Sequence, residues 1–272
     1  MRSPPKPDCA IFVSSCDVYS DAWEPFFKLF FRYWPDCPLP IYLISNGKVY
    51  PDSRVTTIKI DPDQGWASNM LTALTAHPSP FMLYLQEDYF LKRRVGTERI
   101  LDLLDILKKE HAAYLQLYPA PGPDTAFKKY REVGMISPGR PYRVSLQAGL
   151  WDTAVFKRLL VKGERGVDME HKGSVRSEGF EEPFLSVRRG LFFPYDTSAA
   201  LDYFSTGIIK RKWHAGIPSF FKQQGITADL SQREIESPGE KFRHIAASLP
   251  LVAPLFRLIF KIEYKMKTLL AK

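Results

Sequence analysis

Phe81-Met82-Leu83-Tyr84-Leu85-Gln86-Glu87-Asp88-Tyr89-Phe90-Leu91 is the stretch whose reading decides the fold. Residues 81–85 are all apolar or aromatic, a run of the length and composition of a strand covered on both faces, whereas helices are usually longer. The run leads through Gln86 to two adjacent acids, Glu87 and Asp88. In an open α/β sheet, ligands collect beyond the carboxyl ends of the strands, which places both acids where a substrate would bind. Their oxygens suit a hard cation, Mg²⁺ or Mn²⁺, which would in turn hold the phosphates of a nucleotide. The bland alternative is that the pair caps the next element or faces water.

On either side of this stretch, strand-like and helix-like runs alternate. Strands are expected at 10–14, 39–45, 55–60 and 113–117, and helices at 66–75 and 97–110. A further helix, capped by Ser20 or Asp21 and running through Phe31, carries Trp23, Phe26, Phe27, Phe30 and Phe31 at helical spacing. The alternation predicts an α/β fold with a mostly parallel central sheet and helices on both faces.

Between Pro119 and Pro141 the chain is rich in Pro, Gly and charge, and residues 119–142 are expected to form a loop or lid over the site. Next comes Leu146-Gln147-Ala148-Gly149-Leu150-Trp151, a short strand entering a helix capped by Asp152 or Thr153. Glycine lets backbone approach a ligand and an indole offers a flat apolar face, so Gln147, Gly149 and Trp151 are candidates for binding an acceptor. Simple core packing is the competing reading for Trp151. Farther on, Asp168, Glu170 and His171 cluster, and any of them has the chemistry of a general base.

The three cysteines, Cys9, Cys16 and Cys37, show neither a C-x-x-C pair nor a ligand spacing with the histidines, which points to a reducing compartment. The Pro-rich residues 1–8 read as a flexible tail without the apolar core of a secretory signal. Residues 241–272 hold seven Lys or Arg against Glu263 alone, which is +6 of the net +8. The remaining body is nearly balanced, and this argues against a nucleic-acid groove. In the tail, Leu255, Ile259, Ile262, Met266 and Leu269 share one helical face while Arg257, Lys261 and Lys265 are spaced by four on another. The expectation is a basic amphipathic helix within 240–272 lying on an anionic membrane surface or, failing that, packed on the body. Pro250 and Pro254 interrupt its apolar start, which is well short of the roughly 20 residues that span a bilayer.

Four segments taken in order carry a resemblance: Gly65-Trp66-Ala67-Ser68-Asn69, then Glu87-Asp88-Tyr89-Phe90, then the segment from Leu146 to Trp151 with Asp168-Met169-Glu170, and finally Lys210-Arg211-Lys212-Trp213. Together the chain resembles bacterial sugar transferases of the GT-A glycosyltransferase class. In that class the first strand and the helix after the third cradle a nucleotide, and an acidic motif ending the fourth strand binds a divalent metal. The resemblance implies donor contacts from Ser14, Trp66, Asn69, Glu87, Lys210, Arg211 and Lys212, metal ligation by Asp88 with Glu87 and His214, and Glu170 as base with Asp168 second. Two positions depart from the pattern: Gln86 stands where the first acid belongs, and Arg211 stands where glycine is expected before Lys-Trp.

Transfer of a sugar from a nucleotide-sugar to a hydroxyl of a glycan or lipid-linked acceptor, in bacterial surface polysaccharide synthesis at the inner face of the cell membrane, is the function this implies. Residues 9–118 would be the nucleotide-sugar-binding half and 143–239 the acceptor-binding half. A nucleotidyltransferase on a similar sheet and a non-catalytic nucleotide-binding scaffold are the rival readings.

Overall fold

A computed structural model of the chain describes residues 8–193, 196–237 and 239–240. It divides into two compact units, Met1–Ser205 and Thr206–Lys272. Most of the expected N-terminal tail, and the amphipathic helix expected beyond residue 240, lie outside the described residues.

The first unit starts with β1 (Cys9–Ser14), α1 (Trp23–Tyr33), β2 (Ile41–Ser45), β3 (Val55–Lys59), α2 (Trp66–Ala76), β4 (Phe81–Gln86) and the short β5 (Phe90–Leu91). It continues through α3 (Thr97–Lys109), β6 (Tyr114–Gln116), β7 (Thr125–Phe127), β8 (Tyr130–Met135), β9 (Gly149–Asp152), α4 (Thr153–Leu159), α5 (Gly166–Arg176), β10 (Phe184–Val187) and β11 (Tyr203–Phe204). One sheet joins nine of these strands in the order β3-β2-β1-β4-β9-β6-β10-β8-β7. Strands β3, β2, β1 and β4 pair in parallel, as do β6 and β10. Because β9 is antiparallel to both β4 and β6, those two run the same way and their carboxyl ends share one edge. The architecture is thus mixed α/β with a mostly parallel sheet, as the alternation predicts.

Burial explains why these runs are strands. All six residues of β1 are buried, and so are Met82 to Leu85 of β4, since both strands lie inside the sheet with helices over each face. The pleat sends Phe12, Met82, Tyr84, Tyr114, Trp151 and Phe184 into one core with Met70 and Leu74 of α2, Phe156 of α4 and Met169 of α5. Alternate residues such as Ile11, Leu83 and Leu85 turn to the opposite face. Helix α3 packs on β6 and β9, and Ile100, Leu103, Leu104 and Leu107 are its buried stripe.

Two local expectations are corrected. No side chain caps α1: a 3-10 turn over Asp17–Ala22 runs directly into it, so neither Ser20 nor Asp21 holds the N-cap. Nor is 119–142 a lid, because β7 and β8 form a hairpin that pairs with β10 and completes one end of the sheet. Strand pairing absorbs backbone polar groups that a loop would leave to water, and local composition does not register it.

The second unit contains β12 (Ile208–Ile209), β13 (Lys212–Trp213) and α6 (Ile217–Gln223). Strands β12 and β13 pair antiparallel around Lys210 and Arg211, whose φ angles are +49° and +68°. A two-residue hairpin with both central residues at positive φ has the backbone for which glycine is favoured. The glycine expected at position 211 is therefore explained, and Arg211 occupies its conformation at a cost of about 1 kcal/mol. Arg211→Gly is expected to raise the unfolding free energy by about that amount in urea titration; a destabilised variant would refute the strained turn.

Candidate functional site

The shared carboxyl edge gathers the ends of β1, β2, β4 and β6, the start of antiparallel β9, and the N-terminus of α2, which follows β3. Buried polar residues concentrate there: Ser14, Ser45, Asn69, Glu87, Asp88 and Gln116 are all less than a tenth exposed. Buried polar groups in such numbers need hydrogen bonds, and the partners define how each candidate is held.

On the β1 side, Trp66 donates from Nε1 to Ser14 Oγ at 3.1 Å and to the Tyr84 hydroxyl at 3.3 Å, while Gln86 Nε2 donates to the same hydroxyl at 3.2 Å. Two expected donor-site residues, Ser14 and Trp66, are thus brought into direct contact, and Gln86 joins them. Asn69 has a different task. Its Nδ2 donates to Asp63 at 2.8 Å and its Oδ1 accepts from the Gln64 N–H at 3.0 Å, so it shapes the loop entering α2. The Cys16 thiol is pushed up by burial and further by the fields of Glu87 and Asp63, which places both carboxylates close to the end of β1.

Asp17, which the sequence alone does not single out, ties the loop after β1 to the loop after β2. It accepts from the N–H groups of Asn46 at 3.0 Å, Gly47 at 2.9 Å and Lys48 at 3.1 Å. Partial burial raises its pKa, but the three N–H groups and Lys48 more than offset that and hold the carboxyl below its ordinary value. An Asp shortly after a strand, facing a Ser-Asn-Gly turn, is the signal that was present for it.

On the β9 side, Glu170 Oε1 accepts from the Leu146 N–H at 2.9 Å and from Ser145 Oγ at 3.4 Å. Burial raises the Glu170 pKa above 4.5, and these two donors offset that only in part. A carboxylate moved upward this way is a better proton acceptor at neutral pH than an ordinary one. Tyr89 connects it to the acids of β4. Its hydroxyl donates to the Leu146 carbonyl at 2.9 Å, and its own pKa is raised by burial, by Tyr203, and by the charges of both Asp88 and Glu170. One buried ring therefore lies within electrostatic reach of the expected metal ligand and of the expected base.

Gln147 is held by Tyr203, whose hydroxyl donates to Gln147 Oε1 at 2.6 Å and accepts from the Ala148 N–H at 3.1 Å. The other two expected acceptor contacts are corrected. Trp151 is wholly buried and stacks on Tyr114 with ring centroids 4.0 Å apart, so its indole face is taken. Gly149 is required by that same ring: a Cβ there would lie 2.3 Å from Tyr114 Cε2. With the tyrosine pinned between Trp151 and the sheet, Gly149→Ala is expected to destabilise the fold by about 1–3 kcal/mol, read as a lower urea midpoint. An unchanged midpoint would mean that the ring can move.

Asp168 is also corrected as a base. It caps α5 from its first turn and pairs with Arg165 at 2.9 Å, and the Arg165 guanidinium holds its carboxyl down at about 2. So low a value makes it a poor proton acceptor.

Lys210, Arg211, Lys212 and His214 belong to the second unit. Lys210 and Arg211 are exposed turn residues. Lys212 pairs with Glu234 at 2.9 Å and Glu240 at 3.1 Å, so two carboxylates already balance the cation expected at the phosphates. His214 Nδ1 accepts from the Gly216 N–H at 3.0 Å and Nε2 lies 4.0 Å from Glu236, which leaves the ring engaged within its own unit.

Among the described residues, no three His, Cys, Asp or Glu side chains come together as a metal-holding group. Mg²⁺ is commonly held by one or two carboxylates with substrate phosphates completing its shell. The buried pair Asp88 and Glu87 at a strand end fits that kind of donor set, and does not fit a site made wholly of protein ligands.

No family model matches the chain, and no curated protein does. Among solved structures, it is similar to residues 1–349 of S. aureus TarS, at 9% identity and a TM-score of 0.42 over 66% of this chain and 60% of that one. It is also similar to the mannosyltransferase PcManGT from Pyrobaculum calidifontis in complex with GDP-Man and Mn²⁺, at 10% identity and a TM-score of 0.44 over 68% of this chain and 55% of that one. A cytidylyltransferase from Leptospira borgpetersenii matches at 10% identity and a TM-score of 0.39 over 61% of this chain and 69% of that one. The chain spans only about 60% of the TarS fragment's length.

Proposed function

We propose that the chain is a glycosyltransferase that uses a nucleotide-sugar donor and a hydroxyl acceptor. The observation that carries the reading is the pairing, at one sheet edge, of the strand-end Asp88 with the half-buried Glu170, both acting on Tyr89. Ser14, Trp66 and Gln86 would line the donor side, and Gln147 the acceptor side. In the reaction, the acceptor oxygen bonds to the anomeric carbon as the bond from that carbon to the diphosphate breaks. The electron pair leaves with the nucleoside diphosphate, and the hydroxyl proton passes to the Glu170 carboxylate. Mg²⁺ or Mn²⁺, held by Asp88 with Glu87, would stabilise the charge on the departing diphosphate. A direct displacement by the activated hydroxyl inverts the anomeric centre. A glycan or lipid-linked acceptor at the inner face of a bacterial membrane suits the strongly basic residues 241–272.

The test is calorimetry against nucleoside diphosphates and nucleotide-sugars with and without Mn²⁺, followed by turnover of whatever binds. One nucleoside diphosphate is expected to bind in the presence of metal, and its sugar conjugate to be consumed with release of that diphosphate. Turnover of a nucleoside triphosphate with release of pyrophosphate would make the chain a nucleotidyltransferase instead, and binding without any turnover would make it a scaffold.

A further inference from the structure

The segment that follows β10, Arg188-Arg189-Gly190-Leu191-Phe192-Phe193, presents two large apolar side chains to water: Leu191 is 97% exposed and Phe192 75%. They are the two most exposed large hydrophobic residues among those described. The exposure is built into the loop. Asp196 accepts from the Phe192 N–H at 3.0 Å and from the Ser198 N–H at 2.9 Å, and a Cβ on Gly190 would lie 2.0 Å from the same carboxylate and displace it. Arg93 donates to the Asp196 carbonyl at 2.7 Å, and Arg99 donates to the carbonyls of Thr197, Ser198 and Ala199 at 3.0–3.2 Å. These hydrogen bonds anchor Asp196 to Ala199 and the Phe192 backbone beside the apolar tip.

Two further features say what the tip meets. Arg188 and Arg189 flank it, both exposed; Arg189 lies 5.0 Å over the Phe193 ring, and neither guanidinium pairs with a carboxylate among the described residues. Their charge is therefore available to an anionic surface. Moreover, β10 is parallel to β6, so the loop leaves the sheet at the same carboxyl edge as Glu87 and Asp88. A ladder of rings runs back from it: Phe193 to Tyr118 at 4.9 Å, Tyr118 to Tyr203 at 4.5 Å, and Tyr203 to Tyr89 at 4.5 Å.

We infer that residues 188–193 are a membrane-docking wedge, with Leu191 and Phe192 entering the acyl boundary of an anionic bilayer and Arg188 and Arg189 against its headgroups. Apolar residues flanked by cations without carboxylate partners are the combination that such interfaces retain. The wedge would set the carboxyl edge facing the lipid surface. Its residues are not those of the basic tail, and the inference does not depend on the reaction proposed above.

Full-length protein would be sedimented with phosphatidylcholine vesicles with and without phosphatidylglycerol, and compared with Leu191→Ser/Phe192→Ser and Arg188→Gln/Arg189→Gln. Binding to the anionic vesicles only is expected, weakened on the order of tenfold in the serine variant and roughly fivefold per arginine removed. Because residues 241–272 also attract anionic lipid, Phe192→Trp supplies a local probe: brominated lipid should quench the added indole fluorescence. Unquenched emission, serine-variant binding equal to that of the parent, or no vesicle binding at all would each overturn the wedge. So would a concentration-dependent dimer that the serine variant abolishes, which would assign the tip to a second copy of the chain. Unchanged melting temperatures would show that the variants fold, since all four side chains are exposed.

Discussion

Replacing Asp88 with asparagine is expected to abolish metal-dependent nucleotide binding and to lower turnover at least about a hundredfold, the scale of losing a main stabiliser of developing charge. Asparagine keeps the size and one oxygen of the side chain but removes the negative charge that a divalent cation requires. Asp88 is only 5% exposed, so a thermal melt is needed to show that the variant folds. Calorimetry with Mn²⁺ and one nucleoside diphosphate, together with that melt, reads binding and folding. Full metal-dependent binding in Asp88→Asn would remove the cation from this strand end and with it the donor half of the proposed site. Glu87→Gln provides the comparison, because Glu87 acts on Cys16 and Tyr84 while Asp88 acts on Tyr89 and Tyr203, so the two acids serve different surroundings.

Glu170→Gln should uncouple stability from activity. A general base contributes about 10²–10⁴ in rate, and glutamine cannot take the acceptor proton, so turnover should fall by that factor while donor binding persists. Glutamine can still accept the Leu146 N–H that Glu170 accepts. Burial raises the folded carboxyl above its ordinary 4.5, so the folded state binds this proton more tightly than the unfolded state does. Below 4.5 the two proteins should be equally stable. As pH rises through the raised value, the parent alone loses stability, and the variant should be the more stable at neutral pH. The parent's kcat/KM should also fall on the acid side of that value, where the base is protonated. Melting curves across pH, with rates measured on the same samples, test the pair of effects. A variant that is both active and no more stable would exclude Glu170 as a buried base.

How far the sequence could be read follows from the range of the interactions concerned. Strand β4 and its acids were legible because an unbroken apolar run ended by charge is a local pattern, and burial on both faces of a parallel sheet produces that pattern directly. Helix α3 was legible for the same reason, its apolar spacing matching one buried stripe. Trp151 and Gly149 were misread as ligand contacts because their partner is Tyr114, thirty-odd residues away on the neighbouring strand. Residues 119–142 were misread as a lid because Pro and Gly content reports turns but not the strand pairing to β10 that lies between those turns.

The amino-acid sequence by itself determined the α/β alternation, the strand that ends on Glu87 and Asp88, and the charge of the C-terminal segment, since each is a property of neighbours along the chain. Only the tertiary structure separated the surroundings of the two candidate bases. Asp168 and Glu170 stand two residues apart on one helix, yet Arg165 holds the first down at about 2, while burial lifts the second against the hydrogen bonds it accepts from Leu146 and Ser145. A side chain's proton affinity follows from the dielectric and the charges around it, and for Glu170 folding brings its surroundings, Ser145 and Leu146 among them, from another part of the chain.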